Sequence, residues 1–128
     1  MAAAAWRLHT HLHSLIVEVD GRVLGKTGIE RFHNPRRAHV ANIGVAVDEG
    51  ARGRGVGCTL MGGAIDLCSG WLGVRRIELE VHTDNQASQA LFARQGFERE
   101  GASIGYALRG GRYVDVHLMA LRAQLPSA

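Results

Sequence analysis

The segment Arg52-Gly53-Arg54-Gly55-Val56-Gly57 gathers three glycines and two arginines between an apolar run and a stretch of helical periodicity. Glycine permits positive φ and lets a ligand approach the backbone closely. The N–H groups at a helix start, at the positive end of its dipole, form an anion site. Arg52 and Arg54 add charge that can reach phosphate oxygens. The turn therefore suits a pyrophosphate. It is not a P-loop, because Gly-x4-Gly-Lys-Ser/Thr needs a lysine that is absent here. Nor does it match Gly-x-Gly-x-x-Gly: counted from Gly53 or Gly55, the third glycine position holds Cys58 or Leu60. Taken alone, the segment reads equally as a pyrophosphate cradle and as a glycine-rich connector with two solvated arginines.

Other chemistry-bearing residues are sparse. His9, His11 and His13 alternate, so on a strand they would share one face. No cysteine or carboxylate cluster lies nearby to complete a metal site, so no metal is expected. Cys58 and Cys68, if on one helix, are about 15 Å apart at ~1.5 Å per residue, too far for a disulfide. Free thiols and the lack of a secretory signal favour the reducing cytoplasm. The net charge of +3 suits an anionic ligand. The basic residues are dispersed, so no nucleic-acid partner is expected. No apolar run approaches the ~20 residues of a membrane span.

The elements that must position the turn follow from hydrophobic period. Leu15 to Val19, Asp20-Gly21, then Val23 to Phe32 reads as a hairpin. Asn34-Pro35 breaks the pattern, and Ala38 to Val47 reads as a buried strand. Val56, Leu60, Ala64, Leu67, Cys68 and Trp71 recur at helical spacing across Gly62 and Gly63. Arg75 to His82 alternates, with Ile77, Leu79 and Val81 against Arg76, Glu78 and Glu80. Asp84-Asn85 offers an N-cap for a helix from Gln86 to Gln95, and Gly96 ends it. Phe97 to Leu108 and Arg112 to Leu121 form a hairpin around Gly110-Gly111. The predicted order is β-β-β-α-β-α-β-β, a mixed sheet covered by helices. Residues 1–14 read as an irregular or helical N-terminal extension, and 15–128 as one domain.

In this setting the chain resembles the GNAT family of N-acetyltransferases. The signature Arg/Gln-x-x-Gly-x-Gly/Ala, after a strand and opening a helix, stands here as Arg52-x-x-Gly55-x-Gly57. A second signature, Asn-x-x-Ala-x-x-Leu-Tyr-x-x-x-Gly-Phe, reads as Asn85, Ala87 (shifted by one), Ala90-Leu91-Phe92 and Gly96-Phe97. The stretch from Tyr106 to Asp115, with Met119-Ala120, is similar to the bacterial subgroup that acetylates free L-amino acids. It also resembles polyamine and ribosomal-protein acetyltransferases.

The resemblance implies an α/β (α+β mixed-sheet) acyl-CoA N-acyltransferase fold, here without the usual first strand and two helices. It implies acetyl-CoA as co-substrate. The strand holding Val45 and Val47 would splay from Glu80 to His82 and pair with the pantetheine arm. An N–H near Val45 to Val47 would stabilise the tetrahedral oxyanion. Arg52, Gly53, Arg54, Gly55, Val56, Gly57 and Cys58 would hold the diphosphate. Asn85 would touch the arm or serve as a helix cap, and Phe92 and Arg94 would line the exit side.

The pattern departs from the family in three places. Phe92 stands where a tyrosine often serves as acid, and it has no hydroxyl. Asn42 stands near a strand position often held by a basic carboxylate, which leaves Glu30 and His39 as candidate bases; each also reads as a surface residue. The pocket wall before Leu15 is short, so a truncated start is one reading and a homodimer, with the partner supplying the wall, is another. A free α-amino group has a pKa near ~8 and a lysine side chain near ~10.4, which favours a small α-amine acceptor such as an amino acid. The alternatives are a non-catalytic CoA-binding module, a truncated acetyltransferase, and a protein or polyamine acetyltransferase.

Overall fold

The computed structural model describes residues 2–8, 12–53 and 55–122, with side chains from Leu12 onward. Its strands are β1 (Ala2–Leu8), β2 (Leu12–Val19), β3 (Arg22–Arg31), β4 (Val40–Val47), β5 (Arg76–His82), β6 (Glu98–Arg109) and β7 (Arg112–Arg122), and its helices are α1 (Val56–Gly70) and α2 (Gln86–Arg94). They make one sheet in the order β1-β2-β3-β4-β5-β7-β6. Every neighbouring pair is antiparallel except β4 and β5.

The predicted order of elements from Leu15 onward holds. The expectation for residues 1–14 is corrected: Ala2–Leu8 is a strand paired with His13 to Val19 of β2, which itself begins at Leu12. The run Ala2 to Ala5 has no apolar–polar alternation, so no strand period is visible there. Pairing with β2 makes the strand, overriding intrinsic preference. β4 also starts later than expected, at Val40, because Pro35–Arg37 forms a 3-10 turn. Among the described residues no helix is long and apolar enough to cross a membrane.

Both helices cover the same face of the sheet. α1 turns Met61, Ala64 and Cys68 inward against Ile29, Ala41, Ile43, Ile77 and Leu79, while Phe92 of α2 and the following Phe97 close the same core. The two rings pack with centroids 6.0 Å apart. A second cluster joins Val56 and Leu60 to Leu15, Val17 and Leu24. Gly62 and Gly63 do not interrupt α1; the buried stripe outweighs their intrinsic cost of up to ~1 kcal/mol each.

Gly25 sets how closely α1 sits on the sheet. A Cβ there would lie 2.9 Å from Val56 Cγ1 and 3.0 Å from both the Ala46 carbonyl oxygen and Leu60 Cδ1. The opposite face, from β3 to β5, carries Lys26, Gly28, Glu30, Asn42, Gly44, Ala46, Glu78, Glu80 and His82, as strand alternation and register require. Along one margin of that face an ion-pair chain links Arg37 to Glu78, Glu78 to Arg76, and Arg76 to Glu100. Glu100 is held below the usual carboxylate range, chiefly by its hydrogen bond from Arg76. The same bond raises the Arg76 pKa.

Candidate active site

β4 and β5 pair through Val40–Arg76, Ala41–Ile77 and Asn42–Glu78, and then diverge. A parallel ladder needs N–H and C=O groups on both strands. Beyond Asn42, the β5-facing groups of β4 have no strand to meet. The divergence opens a slot lined by Ile43, Gly44 and Val45 of β4, by Leu79, Glu80, Val81 and His82 of β5, and by Asn85, Ser88 and Phe92 at and in α2. Part of the cause is local sequence. The Asn85 side chain accepts from Ser88 N at 3.1 Å and caps α2. Gln89 Nε2 donates to the carbonyls of His82 and Thr83, both at 3.1 Å. These bonds tie the end of β5 to α2.

The glycine turn stands at the mouth of this slot. Gly53 and Gly55 both take φ +77°, with open space where a Cβ would be. Gly55 is the N-cap of α1, and no side chain caps that end. The first intrahelical bond runs from Thr59 N to Gly55 O at 3.0 Å. The N–H groups of Val56, Gly57 and Cys58, ahead of that bond, are the ones a helix leaves for a ligand. A Cβ on Gly57 would come within 2.9 Å of Leu91 Cδ2 and 3.9 Å of Val47 Cγ2. The helix start therefore abuts both the end of β4 and α2.

The structure thus brings together Val45, Asn85 and Phe92 in the slot, and Val47, Gly53, Gly55, Val56, Gly57 and Cys58 at its mouth. Asn85 is both helix cap and slot residue. Arg52 is exposed, and its backbone N–H bonds to Glu49 O. Arg54 lies outside the described residues. Arg94 is exposed on the last turn of α2 and does not line the slot.

The two candidate bases fall elsewhere. His39 precedes β4 at the paired end, where its carbonyl accepts from Arg75 N and Arg76 N. Glu30 sits on the open face of β3, in register with Asn42. Neither lines the slot.

Glu80 does, and reading the sequence for a base passed over it. Asn42 Nδ2 lies 3.5 Å from Glu80 Oε1, across the point of divergence. Among the described residues Glu80 makes no ion pair, whereas its neighbour Glu78 is held by Arg37 and Arg76. The available signal was the alternation of β5, which puts Glu78, Glu80 and His82 on one face. It showed which way Glu80 points but not that the strand beside it peels away. Next to Glu80, Gly28 and Gly44 are directly paired, and neither would meet an atom within 4 Å through an added Cβ. They form a bare patch of backbone on the open face.

Residues 2–97 match the acetyltransferase (GNAT) family. The chain belongs to this family. This GNAT protein is 43% identical over 109 residues to the L-amino acid N-acetyltransferase AaaT of Escherichia coli K12, an alignment covering 85% of this chain and 67% of AaaT. Its structure is similar to that of a GNAT acetyltransferase from Streptococcus pneumoniae, with a TM-score of 0.81 and 27% identity over 88% of this chain and 67% of the other. A Salmonella typhimurium protein solved with its cofactor acetyl-CoA shares the fold, with a TM-score of 0.81 and 22% identity over 91% of this chain and 68% of the other. As a GNAT acetyltransferase the protein uses acetyl-CoA as co-substrate.

Proposed function

We propose that the protein transfers the acetyl group of acetyl-CoA to the α-amine of a small molecule, with an L-amino acid as the acceptor class, and that Glu80 takes the amine proton. The observation that carries this is the slot, with a carboxylate at its inner end and an uncapped helix start at its mouth. The pantetheine arm lies along the slot as an extra strand, using the backbone groups of β4 that β5 leaves unpaired. The diphosphate sits on the amides of Val56 to Cys58. The thioester then lies near Ile43 to Val45, where a β4 N–H polarises its carbonyl.

The acceptor approaches from the open face, over Gly28 and Gly44, where nothing larger than hydrogen obstructs it. Glu80 stands beside that approach and receives the proton directly or through one water. An α-amine suits this site because its pKa near ~8 leaves a usable neutral fraction for a weak base to maintain. The 43% identity to an L-amino acid N-acetyltransferase supports the acceptor class.

The same reading places the enzyme in the cytoplasm, since Cys58 and Cys68 are both free. A homodimer would cover the hairpin end of β6 and β7, where Ile104 is 88% and Tyr113 78% exposed. Sizing chromatography at micromolar concentration tests this, and a monomer there retires the dimer.

The decisive experiment is thiol release from acetyl-CoA across L-amino acids, polyamines and amino-terminal peptides. Turnover is expected with free L-amino acids. Acetyl-CoA binding with no release on any amine would leave the CoA-binding module in its place.

A further inference from the structure

Aminolysis of a thioester expels a thiolate, and the slot must deal with it. Of the side chains that line it, Ile43, Val45, Leu79, Val81 and Phe92 have no exchangeable proton, and Gly44 has no side chain. Asn85 is committed as a cap. The Ser88 hydroxyl is far too weak an acid to be ionised near neutrality. Glu80 is the base of the proposed reaction and is occupied with the opposite transfer. His82 remains.

His82 shares the open face of β5 with Glu80, about 6.6 Å further along at a rise of ~3.3 Å per residue. Its ring is half-buried, and Nδ1 is enclosed without a hydrogen-bond partner. Nε2 is not enclosed in this way, which leaves it as the ring nitrogen able to exchange protons. An imidazole is suited to the task, since histidine is the side chain most often used to give or take a proton in general acid–base catalysis.

We propose that His82 is the proton donor to the departing thiolate. This rests on the acetyl-transfer reading above. The amine nitrogen forms its bond to the thioester carbon, and the carbonyl π pair moves onto oxygen. Glu80 takes one N–H proton. As the carbonyl re-forms, the C–S bond breaks with its electron pair going to sulfur, and His82 Nε2–H delivers a proton there. The products are the amide and free CoA thiol. Glu80 holds one proton more and His82 one fewer than at the start, and solvent exchange restores both.

The groups around His82 are few. Glu80 precedes it on the same face, and Asp84 follows it. Asp84 is held below the usual carboxylate range chiefly by Arg109, with His82 as the last contributor. From β7, Val116 faces it in register, with Asp115 and His117 on either side. β4 contributes Ile43, Gly44 and Val45, and α2 only neutral groups.

The test is His82→Gln, read as kcat, KM for both substrates, acetyl-CoA affinity and the pH profile of kcat. A fall in kcat of about 100-fold is expected, with acetyl-CoA affinity kept. The decline of rate with rising pH, which reports a group that must be protonated, should disappear. Phe92→Tyr, which adds a hydroxyl to a ring already in the slot, should recover part of kcat in the double variant. If His82→Gln does not fold, as judged by circular dichroism, His82→Asn carries the same measurements. An unchanged kcat and pH profile, or a change confined to KM, overturns the proposal while leaving acetyl transfer intact. A wild-type protein that binds acetyl-CoA and acetylates no amine overturns the underlying reading instead.

Discussion

Asn42 of β4 reaches to within 3.5 Å of Glu80 of β5, Nδ2 to Oε1, at the place where the two strands part. The contact aims a carboxylate with no cation partner among the described residues at the inner end of the slot. Glu80→Gln keeps the shape and removes the base. It should lower kcat by about 10²- to 10⁴-fold and leave acetyl-CoA affinity unchanged. The deficit should shrink as pH rises through the amine pKa, near ~8, since the acceptor then loses its proton unaided. Initial rates between neutral and alkaline pH check this. A deficit that does not depend on pH would assign Glu80 a structural part.

Gly55 carries φ +77° at the start of α1. Gly55→Glu adds the left-handed penalty of about 1–2 kcal/mol for an L residue and brings a negative charge to the anion site. Acetyl-CoA at 100 times its Kd stabilises the wild type by about 2.7 kcal/mol, and this gain should vanish. Gly55→Ala bears the strain without the charge. It should lose stability yet keep most of the ligand-induced gain. Melting curves with and without acetyl-CoA separate the two effects.

Gly25→Ala tests the seating of α1. Its Cβ would fall 3.0 Å from the Ala46 carbonyl oxygen, a backbone atom that cannot rotate away. Overpacking of this kind should cost about 1–3 kcal/mol in urea unfolding. Because Val56 opens α1, acetyl-CoA should also bind more weakly. Full stability would show that the helix rides up without strain.

The two thiols should behave differently. Burial raises the Cys68 pKa from 9.0 to about 11, whereas Cys58 is exposed. A thiol reagent near neutral pH should titrate one thiol in the native protein and two in denaturant, with acetyl-CoA protecting Cys58. The unfolded chain ionises Cys68 above pH 9.0 while the fold keeps it protonated to about pH 11. This contribution to stability is therefore complete below the lower value and declines across that interval. Cys68→Ala should flatten the decline.

Much of the architecture was written in local pattern. Ile77, Leu79 and Val81 alternate too cleanly for any element but a half-buried strand, and Asn85 and Gly96 bracket α2 with a cap and a stop. The turn from Arg52 to Gly57 was legible because its chemistry is backbone chemistry, and glycine spacing encodes that directly. β1 was hidden because four successive alanines have no period to mark a strand, even though its partner β2 follows closely in the chain. Glu80 was hidden for a different reason. Its role depends on where two strands separate, and separation is a relation between segments distant in the chain. Glu30 and His39 were the nearest titratable residues in sequence terms, but the slot selects by register, and register favours β5.

β4 and β5 are joined by three residue pairs, so the sheet behaves as two panels, β1 to β4 and β5 to β7, stitched at one corner and backed by the two helices. Amide hydrogens along the slot edge of β4 should trade rapidly for solvent deuterium in the empty protein and slow down when acetyl-CoA is bound. A small molecule then does the work of a missing strand, and the loaded enzyme is mechanically more continuous than the chain can be unaided.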